Sequence, residues 1–235
     1  MPTTTVKSAY LLGVRDGLPF ILMAVPFALL FGVVASEAGL ELIQTIAFSF
    51  LVIAGAAQFA ALQLMVEDAA IIFVLAAALA VNLRMAMYAA ALVPHLGAAP
   101  LWQRLIVAYI NMDQTYIAAT LRYDDNPKWT VQQKVAFFVG VATPLVPCWL
   151  SMTVVGALIG ASIPPEYALD FIMPIMFLAM VGPMLKTLAH LAGAVTSAVV
   201  AMALLWMPSG LGLLIAAFFA MVVGVVVETL MEQKS

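Results

Sequence analysis

The chain has 235 residues, of which 66% are hydrophobic and only 9% charged, with a mean hydropathy of +1.13 and a formal net charge of −3. This composition excludes a soluble globular domain, and a small net charge without a basic run offers no footing for nucleic acid or for peripheral membrane binding. The single cysteine, Cys148, excludes an intramolecular disulfide and a cysteine-based zinc site.

Uncharged stretches run over 17–36, 42–66, 135–165 and 187–227, and each meets or exceeds the ~20 residues that cross ~30 Å of hydrocarbon. The first, which opens "GLPFILMAVPFALLFGVVASEAG" (17–39) and ends before its Glu37, follows Lys7 and Arg15 as a signal core would, but it is too long for one and reads as a retained first span. The last would be ~60 Å long as one helix, with "WMPSG" at 206–210 in its middle, so it reads as two spans. The pattern predicts an all-α, polytopic helical membrane protein, a single transmembrane domain over 1–235. About eight segments are expected, near 18–36, 42–66, 69–94, 104–121, 133–160, 168–185, 187–206 and 210–228.

If every segment spans, Lys7, Arg15, Arg122, Lys128, Lys134, Lys186 and Lys234 share one face, and Glu37, Glu41, Glu166 and Asp170 the other. The positive-inside rule then makes both termini cytoplasmic, with Arg104 as the exception. "RYDDNPKWTVQQK", 122–134, reads as a cytoplasmic linker between two halves. An offset of 128 lays Pro19 over Pro147 and Gly32 over Gly160, and an offset of 127 lays "FLVIAG" over "FLAMVG" and Asn82 over Ser209. Repeats over 15–95 and 143–223 are the expectation. Duplication with paired interruptions favours a secondary transporter.

Within "AAALAVNLRMAMYAAALVPHL", Arg84 lies ~22 Å along a helix starting near Ala69, where an unpartnered guanidinium costs ~2.5–3.5 kcal/mol. Either its side chain snorkels to the interface, or the helix breaks at Asn82 and both residues line a cavity. Asp113 in "AYINMDQTYIAATLRY" is the carboxylate deepest in an apolar segment, with Asn111, Gln114 and Thr115 around it. Either that segment lies in the interface, or it spans and Asp113 is paired, proton-accepting or substrate-facing. An Arg84–Asp113 pair would compensate both charges. Gln58, among small residues in "AGAAQFAALQLM", either bridges two helices or meets a polar ligand. Pro19, Pro26, Pro144 and Pro147 each remove a backbone hydrogen bond, producing either a kink or a lined break.

Motifs for enzyme chemistry are missing: there is no Gly-x-x-x-x-Gly-Lys-Ser/Thr, His-Glu-x-x-His or Gly-x-Ser-x-Gly, and Ser209 has no identifiable base. No enzyme activity, cofactor or metal is expected, and the fifteen methionines lack the clustering of a copper path.

The opening span, "AGAAQFAA", "VNLRMAMYAAAL" and "MDQTY" are together similar to the AzlC family, the large subunit of branched-chain amino acid exporters. The resemblance covers most of the chain. It departs at Gln114, where the family's acidic pair has its second member, and at Met85, where histidine is common. It implies export of valine, leucine, isoleucine or similar hydrophobic amino acids across the cell inner membrane, together with a separate small AzlD-type membrane subunit; the missing nucleotide motif leaves an ion gradient or facilitated flow, not ATP, as the driving force. On that basis Arg84 or a half-helix N-terminus takes the substrate carboxylate and Asp113 the ammonium. Asn82, Gln58 and Gln114 complete the candidate substrate-binding set. A channel for small solutes or ions is the alternative.

Overall fold

A computed structural model describes residues 5–162, 185, 187–204, 206–207 and 211–232, and among these every regular element is helical. The chain divides into two compact units, Met1–Ala60 with Ala78–Ser162, and Ala61–Ala77 with Ile163–Ser235.

In the first unit, α1 (Val6–Gly17) starts on a Thr5 cap, whose side chain accepts from the Ser8 N–H. A 3-10 turn over Leu18–Phe20, shaped by Pro19, leads into α2 (Ile21–Glu37). The pair forms one apolar run of 32 residues, Val6–Glu37. Four shorter helices follow this run: α3 (Leu42–Leu51), α4 (Gly55–Val66), α6 (Leu101–Tyr109) and α7 (Asp113–Asp125). Between α4 and α6 lies α5 (Ile71–Leu96), residues 61–66 of α4 and 71–77 of α5 belong to the second unit, and the first unit closes with α8 (Val131–Gly160), started by a Thr130 cap. Pro26, Pro144 and Pro147 stay inside helices, so these prolines do not interrupt their elements.

The α1–α2 run and α8 lie side by side, and glycines set their register. A Cβ on Gly13 would meet the Phe137 carbonyl, one on Gly32 the Thr153 carbonyl, and one on Gly156 the Leu29 carbonyl. Residue numbers rise together along both partners, so the two run parallel. Small residues let the backbones touch, the usual solution where no water drives helices together. In the second unit α9 (Leu188–Ala203) and α10 (Leu211–Glu232) pack antiparallel, with Gly193 3.3 Å (Cβ position) from the Ala220 carbonyl oxygen and Gly224 3.8 Å from that of Ala189.

The expectation of about eight spans is corrected. Among the described residues three helices are long and apolar enough to cross a membrane: Val6–Glu37, Ile71–Leu96 and Val131–Gly160. The predicted segment 42–66 is two helices interrupted at 52–54, and 104–121 is interrupted at 110–112. Most of the predicted segment 168–185, and part of the predicted second repeat 143–223, lie outside the described residues.

Both interrupted segments turn back instead of crossing. Phe48 of α3 and Phe59 of α4 contact the same ring, Phe31, at 5.6 and 5.8 Å, and Gln58 reaches Ser49. Pairing of 48 with 59 and 49 with 58 is the register of an antiparallel hairpin. For the second hairpin, His95 near the end of α5 contacts Lys134 at 3.0 Å, and α6 starts just beyond that end. The far end of α7 returns to the same place, where the Tyr123 hydroxyl donates to the Lys134 carbonyl at 2.8 Å. Hairpin α3/α4 therefore enters from the face where α2 ends, and α6/α7 from the face where α8 begins.

This geometry removes the charge exception. Lys7, Arg15, Arg104, Arg122, Lys128 and Lys134 now share one end of the first unit, which the positive-inside rule makes cytoplasmic.

Candidate functional site

The interruptions are built locally. At the end of α6, Ile110 leaves helical geometry (φ −93°, ψ 13°) and Met112 is extended (φ −138°, ψ 168°). Fully buried Thr115 clamps this break: its hydroxyl oxygen accepts from the Met112 N–H at 2.9 Å and donates to the Met112 and Ile110 carbonyls at 2.9 and 3.1 Å. Backbone groups freed from the helix ladder at membrane depth need such internal partners. Asn111 ties the break to α5, donating from Nδ2 to the Met85 carbonyl at 3.1 Å. Met85 lies ten positions before His95, ~15 Å from the cytoplasmic end along the helix, so the tip sits at mid-membrane depth.

The outer tip is held by a three-way hydroxyl junction. Ser49 Oγ accepts from Gln58 Nε2 at 3.2 Å and from Trp149 Nε1 at 3.0 Å, and lies 3.1 Å from Thr153 Oγ1. Two accepted bonds occupy both lone pairs of Ser49, so its own proton goes to Thr153. Gln58 therefore bridges helices, while its Oε1 is buried without a partner among the described residues. The Trp149 ring also packs on Gly55, the first residue of α4, where a Cβ would stand 2.8 Å from it.

At the tip of the inner hairpin Arg84 Nη1 pairs with Asp113 Oδ2 at 3.0 Å, and both side chains are about a third exposed or less. The two come from different elements. Arg84 is near the middle of α5, whereas Asp113 opens α7, where the helix dipole favours a negative charge. Tyr88, one turn beyond Arg84, is close enough to interact with both charges, and its ring stacks on Tyr116 of α7 at 4.1 Å.

Helix α5 is continuous through this region, which corrects the expected discontinuity at Asn82. An amide within a helix keeps its own backbone bonds; the break lies in the partner segment, at 110–112. Neither sequence alternative for Arg84 survives intact, because its guanidinium is paired without any break in its own helix.

On the paired residues and on Asn82 and Asn111, four buried polar atoms have no partner among the described residues: Asn82 Oδ1, Asn111 Oδ1, Asp113 Oδ1 and Arg84 Nε. Each belongs to a residue at, or two positions from, the ion pair. Three are acceptors and one is a donor. Unfilled acceptors in a desolvated place are costly unless a donor-bearing ligand or water meets them. The structure thus unites Arg84 and Asp113, places Asn82 beside them in sequence, and assigns Gln58 to the Ser49 junction. Gln114 is half-buried at the second position of α7 and takes no part in the ion pair. Tyr88 and the Ser49 junction escaped sequence reasoning, since hydroxyls in apolar helices carry no distinctive pattern, and Thr115, noted beside Asp113, proves to be the clamp of the break.

Farther toward the cytoplasm, Arg122 of α7 donates from Nε and Nη2 to Asp16 Oδ2 of α1, the Nε contact being 3.1 Å. Both ends of α7 are therefore fixed by carboxylate–guanidinium pairs.

A broken hairpin whose half-helix opens on Asp113, set against Arg84 of a continuous helix in the middle of a membrane bundle, is the architecture of a membrane transporter. Residues 19–163 match the family described as AzlC protein, and the chain belongs to the AzlC family. It is similar to the inner membrane protein YgaZ of Escherichia coli (strain K12), 24% identical over 185 residues, which are 74% of this chain and 72% of that relative. No solved structure matches the chain. It is an inner-membrane transporter of the AzlC type.

Proposed function

We propose that this chain is the transporting subunit of a secondary exporter for aliphatic amino acids such as leucine, valine and isoleucine, working with a separately encoded AzlD-type small subunit. The observation that carries the reading is the Arg84–Asp113 pair at 3.0 Å with unfilled acceptors beside it. An ammonium offers three donors and no acceptor, which suits Asp113 and the Asn111 amide oxygen two positions before it. A carboxylate suits the guanidinium of Arg84. A zwitterion entering the site splits the pair and takes each partner, so pairing and occupancy exclude one another. Apolar side chains of the surrounding helices accept the aliphatic tail. No nucleotide-binding motif is present in the sequence, which leaves an ion gradient or the substrate gradient as the driving force.

The test is counterflow in proteoliposomes containing the chain with and without its small partner. Unlabelled leucine inside should accelerate uptake of labelled leucine. Flux linear in concentration and indifferent to the trans side would favour the channel instead.

A further inference from the structure

A cavity of about 460 Å³ lies between the cytoplasmic half of α5 and helix α6, walled by apolar side chains including Leu92, Val93, Leu96 and Val107. Its size falls in the ~300–1,000 Å³ range of small-molecule pockets. Two polar groups touch it, at different depths. Arg104 lies in the second turn of α6 and is exposed, without an ion pair among the described residues. Asn111 lies at the hairpin tip, with its Nδ2 committed to Met85 and its buried Oδ1 unfilled. The cavity thus runs from the cytoplasmic end to the level of the Arg84–Asp113 pair.

We infer that this cavity is the cytoplasmic access route for the transported amino acid, and that Arg104 is a first, transient station for its carboxylate. The inference rests on the reading of the chain as an amino acid exporter. An unpaired guanidinium beside apolar walls is complementary to an anionic head with an aliphatic tail. The amino and carboxyl groups of an α-amino acid share one carbon, so one molecule does not reach Arg104 and Asn111 together; it meets them in turn. The carboxylate is held first at Arg104. The ammonium then meets Asn111 at the tip, two positions from Asp113, and the molecule passes to the ion pair. An anionic lipid headgroup with its acyl chain shares this chemistry, and the test separates the two.

The experiment measures leucine transport by the full chain with its small partner in sealed vesicles of each orientation. Arg104→Gln should raise the KM for leucine at the cytoplasmic face about tenfold, the loss of one charge-assisted contact, and move the external KM by less than about twofold. Arg104→Lys should recover most of the cytoplasmic affinity. 4-Methylpentanoate, which has leucine's chain and carboxylate but no ammonium, should compete at the cytoplasmic face of the unaltered protein and not of Arg104→Gln. Equal KM changes at both faces, or none, overturn the inference while leaving the exporter reading intact. A difference present only in vesicles containing phosphatidylglycerol, and lost in phosphatidylcholine alone, assigns the cavity to lipid and also overturns it. Absence of leucine flux in the unaltered protein overturns both readings.

Discussion

The Tyr109 hydroxyl, on the last residue of α6, donates to the carbonyl of Phe50, the penultimate residue of α3, and the two rings lie 6.0 Å apart. One contact therefore joins the two hairpin tips, each next to an interruption. Tyr109→Phe keeps the ring and removes the donor. It should lower thermal stability by about 1 kcal/mol and slow transport, measured by unfolding in a fixed detergent and by initial leucine flux. Unchanged stability and flux would show that the tips meet without depending on one another.

Arg84→Ala should destabilise the protein by about 1–2 kcal/mol more than Arg84→Ala with Asp113→Ala, because the single change leaves a half-buried carboxylate unpaired. Transport should be lost in both. Asp113→Asn should fold and yet fail to export, since the amide keeps the shape and loses the charge that an ammonium needs. Equal stability of the single and double variants, or export surviving in either, would reduce the pair to a packing feature.

In a Cys148→Ser background, cysteines introduced by Ala98→Cys and Asp125→Cys flank the α6/α7 hairpin. Both should react with an impermeant thiol reagent from the cytoplasmic side alone. Labelling from opposite sides would mean that this segment crosses the membrane.

Ser49→Ala strands the donors of Gln58 and Trp149 together with the Thr153 hydroxyl, and Gln58 and Thr153 are fully buried. A loss of about 2 kcal/mol or more is expected, against a smaller one for Thr153→Val, which removes a single partner. Thermal unfolding of both variants decides the order; a reversed order would place the centre of the junction on Thr153.

The long elements were legible in the sequence because hydropathy over ~20 residues measures what a bilayer selects. That is why Val6–Glu37, Ile71–Leu96 and Val131–Gly160 correspond to predicted spans. The ion pair was legible too, since Arg84 and Asp113 each stood in apolar surroundings and each needed an opposite charge. Direction was not legible. A hydropathy window counts apolar residues without registering a reversal, so 42–66 read as one crossing although the chain turns back at 52–54. The reversal at Ile110, Asn111 and Met112 contains neither glycine nor proline; it is imposed by Thr115 and by Asn111 reaching across to Met85, contacts visible only in three dimensions. The asparagine that did attract notice, Asn82, sits inside an unbroken helix. Arg104 was the one hint available, because its apparent position on the wrong face held only if the fourth segment spanned.

A hairpin that leaves by the face it entered adds nothing to the parity of crossings. In the first unit α5 alone reverses the chain between two parallel runs, α1–α2 and α8, and the glycine seam requires those runs to stay parallel. Were α6/α7 to be inserted during synthesis as one straight segment, α8 would be delivered upside down, with Lys128 and Lys134 on the external face and its glycines facing the wrong partners. By the positive-inside rule Lys128 and Lys134, just behind the hairpin, disfavour that straightened insertion independently of the packing that rewards the correct one.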